Sequence, residues 1–128
     1  MNMEGLKAGI SYTSRIVVDK TNTAARMGSG DMDVFATPAM IALMENAAAM
    51  AVKDFLEEGM TTVGTRIDVS HTKATAAGST VKAEAVLEEI DGRRLVFSVI
   101  AYDSSEETIG RGMHERFIVN REKFLSRL

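Results

Sequence analysis

The sequence contains no cysteine and no tryptophan, and it has a single proline. The lack of cysteine excludes disulfide bonds, thiol nucleophiles and thiolate metal sites. Only two histidines are present, so a transition-metal site is not expected either. We therefore expect a protein whose chemistry needs no metal and no resident cofactor.

Long hydrophobic runs and dense positive charge are also missing. The longest weakly polar stretch, Val34 to Met44, is far too short to span a bilayer. The net charge is −3 and no cluster of lysine and arginine predicts nucleic-acid binding. Residues Met1 to Ile10 lack the order of a signal peptide. We expect neither a membrane nor a nucleic-acid partner, and a cytoplasmic location.

The length and composition indicate one folded unit. The chain has 128 residues, of which 45% are hydrophobic and 26% charged. This balance suits a single domain over residues 1–128 with a true core, and it is not typical of disorder.

A long apolar helix is the main predicted element. Thr37 is predicted to cap its first turn and Pro38 suits the first helical position. The helix is expected to reach about Glu57 and to end at Gly59. Between Ala39 and Val52 only Glu45 and Asn46 are polar, so other parts of the protein must cover this helix.

Alternating apolar residues predict the strands. In the first, Ile10, Tyr12, Ile16 and Val18 share one face, with Ser14 as the exception. Asp91-Gly92 predicts a hairpin between two later strands. The segment Lys20 to Asp33 is predicted to be a loop, and Arg121 to Arg127 a short terminal helix. The predicted strands are Gly9 to Asp19, Thr62 to Ala74, Thr80 to Ile90, Arg94 to Tyr102 and Thr108 to Asn120.

This order of elements predicts an α+β protein. Short turns make neighbouring strands antiparallel, and the simplest packing wraps the sheet around the long helix, as in the hotdog fold. One sheet leaves part of that helix uncovered, so we expect a homodimer with two-fold symmetry.

Glu45 is the residue that most strongly indicates chemistry. A carboxylate in an apolar helix is costly unless it is paired or faces a wet cleft. Burial raises the pKa of such a carboxylate and favours a role as base or nucleophile. The alternative is that Glu45 and Asn46 form the one exposed stripe of the helix, and the residues alone leave the two interpretations evenly matched.

Other candidate residues carry weaker signals. His71 and His114 lie in predicted strands, where a histidine is more often a packing residue than a catalyst. Arg116 shares a face with His114 and needs a carboxylate partner, for which Glu45 suits better than the opposite-facing Glu115. Gly64 is expected to allow a close approach to backbone, and its N–H is a candidate oxyanion donor.

Several short motifs together resemble one family. Val34-Phe35-Ala36-Thr37, Leu43-Met44-Glu45, Gly64-Thr65, His71-Thr72 and His114-Glu115-Arg116 occur in the order and spacing of the fluoroacetyl-CoA thioesterase family of hotdog proteins. The resemblance implies that Thr37, Glu45 and His71 are catalytic, that Gly64 receives the thioester carbonyl, and that Arg116 lies near the site.

The resemblance implies hydrolysis of an acyl-CoA to a free acid and CoA, with CoA present only as part of the substrate. Residues Ala24 to Asp33 contain no aromatic side chain, whereas the fluoroacetate-specific enzyme has an aromatic-rich lid before this motif. We therefore expect a general short or medium acyl-CoA. The alternative function is a non-catalytic module that binds acyl-CoA or an acyl carrier, because a fold does not fix a function. A hydratase acting on enoyl-CoA is disfavoured, since no hydratase signature is found.

Overall fold

The computed structural model describes residues 3–128. These residues form one five-stranded antiparallel sheet with the strand order β1-β3-β4-β5-β2, and a long helix packs on its inner face. The α+β hotdog prediction is confirmed. The elements are β1 (Ser11–Val17), α1 (Ala24–Met27), α2 (Thr37–Lys53), β2 (Met60–His71), β3 (Thr80–Asp91), β4 (Arg94–Tyr102), β5 (Thr108–Asn120) and α3 (Arg121–Ser126).

The centre of the sheet follows the predicted strands closely. Strands β4 and β5 have the predicted bounds, and β3 is one residue longer. The β3–β4 hairpin closes with Asp91 opposite Arg94, and Gly92 adopts a φ of 61° in the turn between them. A glycine takes this left-handed conformation without steric cost, which explains why the Asp-Gly pair predicts the turn correctly.

The core lies between the sheet and α2. Small side chains on the helix, mainly alanines, allow it to approach the sheet closely, and the methionines fill the remaining space. The core includes Met40, Met44, Ala47 and Ala48 of α2 together with Val81, Ala83, Ala85 and Leu87 of β3 and Phe97 and Val99 of β4.

The ends of α2 differ from the prediction. Ala36, not Thr37, is the N-cap residue, and it makes no side-chain capping bond. The helix also ends at Lys53, before the predicted end near Glu57. The chain then turns towards the sheet edge, and Gly59 adopts a φ of 84° immediately before β2 begins. The glycine therefore marks the entry into a strand, and the prediction that it ends the helix was wrong.

The prediction for β1 was also wrong in part. Tyr12 is 41% exposed and Ile16 is 37% exposed, whereas Ser14, the polar exception on this face, is buried. The Ser14 hydroxyl donates a 2.7 Å hydrogen bond to Oδ1 of Asn46 in α2. Because β1 is an edge strand, Tyr12 and Ile16 remain accessible, whereas Val18, directly after the strand, is buried in the core.

Smaller differences concern the connections. Strand β2 begins at Met60 and ends at His71, because the N–H groups of Thr72 and Lys73 both turn towards the carbonyl of Ile109. The predicted loop 20–33 contains the short helix α1. The predicted terminal helix is present as α3, with the side chain of Asn120 as its cap.

Candidate active site

A hydrogen-bonded pair joins the start of α2 to the end of β2. Thr37 is the first residue of α2, and its Oγ1 atom lies 2.8 Å from Nδ1 of His71, the last residue of β2. The Thr37 hydroxyl is free for this bond because it does not cap the helix. We call Thr37 and His71 the hydroxyl–imidazole pair.

The surroundings of His71 keep its ring neutral. Burial lowers the pKa of His71 below its ordinary value, and the backbone of Lys73 offsets this only in part. The ring meets Phe35 edge-on, with centroids 6.5 Å apart. Its Nε2 atom is buried and has no hydrogen-bond partner within residues 3–128. A neutral imidazole can accept a proton, which a general base requires.

Glu45 does not lie in a dry core. Its side chain is 41% exposed, on the one accessible stripe of α2 that also carries Asn46. The expectation of a buried Glu45 was therefore wrong for the single chain, and the exposed-stripe interpretation describes its position. The carboxylate nonetheless has a partner, because its Oε2 atom lies 4.0 Å from Nη1 of Arg116, as the sequence suggested.

Arg116 is buried and firmly held. Its Nε donates to Oγ1 of Thr62 over 2.8 Å, and its Nη2 donates to the carbonyl of the same residue over 3.0 Å. Burial lowers the pKa of Arg116 and the carboxylate of Glu45 raises it. Since an arginine remains a cation under these conditions, it supplies a fixed positive charge beside Glu45. Glu115 faces away and binds Arg94.

Gly64 allows the carboxylate to reach the strand. A Cβ atom at this position would lie 2.8 Å from Oε2 of Glu45 and 3.4 Å from Nη1 of Arg116. The pairing of β2 with β5 shifts register directly after it, between Gly64 and Arg66. A bulge beside a glycine is a common way to bring backbone close to a ligand. We call Glu45, Gly64 and Arg116 the carboxylate cluster.

A single chain does not bring these two groups together. Thr37 and Glu45 are eight helical residues apart, which is about 12 Å along the axis. Gly64 and His71 are seven strand residues apart, which is about 23 Å. The structure thus places each predicted site residue in one of two separate groups along the groove between α2 and β2.

A cavity lies beside the hydroxyl–imidazole pair. Its volume is about 270 Å³, and it is lined by Thr37 and His71 together with Ala24 and Ser29. The last two residues belong to the segment predicted as a loop. The only aromatic side chain that contributes to this wall within the described chain is that of Phe35.

The chain matches a known protein family over most of its length. The family model described as FlK, fluoroacetyl-CoA-specific thioesterase, matches residues 18–122 of the chain. The chain belongs to this family. The matched range includes both parts of the candidate site, from Thr37 to Arg116.

Two kinds of FlK relative support the assignment. The fluoroacetyl-CoA thioesterase of Streptantibioticus cattleyicolor is 39% identical over an alignment of 127 positions, which covers 94% of this chain and 91% of that protein. A structure of FlK superposes with a TM-score of 0.89 at 37% identity and covers 97% of this chain and 96% of its own. A phenylalanine-to-alanine variant of FlK in complex with fluoroacetate and CoA has a TM-score of 0.86 at 38% identity, with coverages of 93% and 99%.

Sequence reasoning missed one residue around the carboxylate cluster, Thr62, which binds Arg116 twice. Its position could have indicated it, since Thr62 has the strand parity of Gly64. His114, which the sequence places on the same face as Arg116, lies 3.2 Å from the guanidinium. Within residues 3–128 no group of three or more potential ligands is placed to hold a metal ion, and no helix is long and apolar enough to cross a membrane.

Proposed function

We propose that this FlK-family thioesterase hydrolyses a short or medium acyl-CoA, with Thr37, Glu45 and His71 as catalytic residues and with Gly64 and Arg116 binding the substrate. Membership of a thioesterase family supports the reaction class. The observation that carries the residue assignment is the Glu45 carboxylate, which Arg116 holds beside a strand glycine. The substrate supplies CoA, and the proposal includes no resident cofactor.

The carboxylate has two chemically competent routes. It attacks the thioester carbonyl carbon and expels the CoA thiolate, and water then hydrolyses the resulting anhydride. In the other route it removes a proton from water as that water adds to the carbonyl. Both routes give the free acid and CoA. Because Glu45 is half exposed beside a groove, either a substrate or a water has access to it.

The remaining groups suit the charges that develop. Negative charge on the carbonyl oxygen needs a fixed donor, and we assign this role to the N–H of Gly64. Arg116 places a positive charge beside the carboxylate and orients it. The neutral ring of His71 takes or supplies a proton through the Thr37 hydroxyl.

We propose further that the protein is a two-fold homodimer. The stripe of α2 that carries Glu45 is accessible, and Ile67 on the inner face of β2 is 36% exposed. Strand β2 is the other edge of the sheet and has a neighbour on one side only. A second copy placed along β2 would cover these surfaces. It would also bring its own hydroxyl–imidazole pair towards the carboxylate cluster of the first copy. This matters because the two groups are far apart within one chain.

The remaining proposals concern the domain, the location and the acyl group. One continuous core from Val18 to Ile118 supports a single domain over residues 1–128. A CoA ester as substrate supports a cytoplasmic location, with no membrane or nucleic-acid partner. The cavity wall without aromatic residues from 20–33 supports an acyl group other than fluoroacetyl alone.

The testing experiment is a hydrolysis assay across acyl-CoA esters of increasing chain length, with fluoroacetyl-CoA included. We expect turnover with a maximum among the shorter chains. Saturable binding of acyl-CoA without release of free CoA would support the non-catalytic binding module, and neither binding nor turnover would reject both functions.

A further inference from the structure

His114 is a buried titratable residue to which the proposed function gives no role. It lies on the inner face of β5, and only 1% of its surface is accessible. Its ring stacks on that of Phe97 in β4, with centroids 6.3 Å apart and planes 30° apart. Both ring nitrogens have partners. Nδ1 lies 2.7 Å from the carbonyl oxygen of Arg66, and Nε2 lies 3.2 Å from Nη1 of Arg116.

These two partners define the tautomer. A carbonyl oxygen only accepts hydrogen bonds, so Nδ1 carries the proton and donates to Arg66. A guanidinium only donates, so Nε2 is unprotonated and accepts from Arg116. The ring in this arrangement is neutral, with a single N–H that points away from the arginine.

The bond to His114 is a third contact that holds the guanidinium of Arg116 in place. Thr62 takes the N–H groups on Nε and Nη2 of Arg116, which leaves Nη1 as the remaining nitrogen of the planar guanidinium. Nη1 is the atom that lies 4.0 Å from Oε2 of Glu45. His114 therefore holds Nη1 from one side while the carboxylate approaches it from another. A Cβ at Gly64 would also lie 3.3 Å from Cε1 of His114, so the ring forms part of the wall behind Glu45.

We propose that His114 is a positioning residue for the thioesterase reaction: as a neutral hydrogen-bond acceptor it fixes Nη1 of Arg116, and through it the orientation of the Glu45 carboxylate. The inference rests on the proposed function, in which Glu45 is catalytic. His114 has no contact with the substrate in this role and acts only through Arg116.

Protonation of His114 would remove this role. A proton on Nε2 eliminates the acceptor and places a second positive charge against Arg116. Burial lowers the pKa of His114 and the charge of Arg116 lowers it further, whereas the carbonyl of Arg66 and the carboxylates of Glu45 and Glu115 raise it. The charged group facing it from α2 is Glu45, while β4 contributes the uncharged ring of Phe97 and β2 a backbone carbonyl.

The first test compares two substitutions with a control. His114→Gln retains a side-chain acceptor for Arg116, and His114→Leu removes it at similar size. We expect kcat to fall roughly tenfold in His114→Leu, as for the loss of one orienting hydrogen bond, with a smaller change in KM, and to stay within about threefold in His114→Gln. Val81→Ala, a core change in β3 away from the cluster, controls for loss of stability and should keep the wild-type kcat well below its melting temperature.

Equal losses of kcat in His114→Leu and His114→Gln would overturn the positioning role, and so would a wild-type kcat in His114→Leu. A second measurement does not depend on activity. Long-range ¹H–¹⁵N spectra of the ring at neutral pH should show a neutral imidazole protonated on Nδ1. A ring protonated on Nε2 or on both nitrogens would overturn the inference even for an active enzyme. A protein that shows the expected tautomer but hydrolyses no acyl-CoA would instead reject the proposed function.

Discussion

A 2.8 Å hydrogen bond joins the Thr37 hydroxyl to Nδ1 of His71 across 34 positions of sequence, and it connects the N-terminus of α2 to the C-terminal end of β2. The bond leaves Nε2 as the ring nitrogen without a partner in the described chain, next to a cavity that both residues line. The Thr37 hydroxyl therefore orients the imidazole together with the ring of Phe35.

Replacement of Thr37 tests this dependence. Thr37→Val removes the hydroxyl at nearly constant volume, and Thr37→Ser retains it. We expect kcat to fall about tenfold or more in Thr37→Val, because the imidazole loses the bond that orients it, and to remain within a few-fold of wild type in Thr37→Ser. Steady-state kinetics on one acyl-CoA give both values. Equal losses in the two variants would mean that the hydroxyl does not matter to turnover.

Glu45→Gln is the direct test of the carboxylate. An amide is neither a useful base nor a useful nucleophile, so turnover should fall by roughly 10²–10⁴-fold. Because Glu45 is half exposed and 4.0 Å from Arg116, the free energy of unfolding should change by less than about 1 kcal/mol. Turnover and melting temperature are measured on the same preparation.

The matched control for this prediction is Glu58→Gln. Glu58 is an exposed glutamate outside the site, and its substitution should change neither quantity. A Glu45→Gln protein that melts normally and turns over like wild type would remove Glu45 from the mechanism.

Gly64→Ala tests the close approach at the strand. The new methyl group would meet Oε2 of Glu45 at 2.8 Å, so the carboxylate must shift from its present position. We expect kcat/KM to fall at least about tenfold while the fold persists, since a shifted catalytic group costs far more rate than stability. Ser70→Ala, on the opposite face of the same strand, should be close to neutral. A fully active Gly64→Ala enzyme would show that this contact is not needed.

Acid should destabilise the fold through its histidines. The pKa values of His71 and His114 are lowered below the ordinary value of 6.5, chiefly by burial. Between the folded and unfolded pKa values the unfolded chain binds more protons, so stability is fully present above pH 6.5 and declines as pH falls below it. Melting temperature measured from pH 8 to pH 5 should follow this course. His114→Gln should show a shallower decline, and an identical slope would contradict the assignment.

A single substitution in β2 tests the proposed dimer. Ile67→Glu places a charge on the inner face of β2, where we propose that a second copy packs, and it should give a monomer with greatly reduced turnover. Light scattering at micromolar concentration measures the mass, for which a dimer is expected in the wild type. Ser104→Glu, in the exposed turn between β4 and β5, should remain dimeric and active. A wild-type monomer with full activity would reject the proposal that a second copy completes the site.

Periodicity predicted β3, β4 and β5 well because a large part of each strand alternates buried residues with more accessible ones. It failed for β1 because the edge position, not the apolar pattern, decides which residues are covered. For α2 it overestimated the length, since residues 54–58 are compatible with a helix but are needed for the turn into β2.

The candidate site was also predictable only in part. The pairing of Arg116 with Glu45 followed from strand parity and charge, because both are local rules. The bond between Thr37 and His71 did not follow, because it depends on how the end of β2 meets the start of α2. The sequence could not decide whether Glu45 is exposed, because its neighbours along the chain are apolar. In the structure those neighbours pack on the opposite side of the same helix.

The cavity beside His71 has walls of two different kinds. Thr37 and His71 belong to a long helix and a long strand, whereas Ala24 and Ser29 belong to the segment that connects β1 to α2. Substitutions in such segments are tolerated far more readily than substitutions in the core. If the acyl group of the proposed substrate occupies this cavity, substitutions within residues 20–33 would change which acyl group fits and leave the hydroxyl–imidazole pair unaltered.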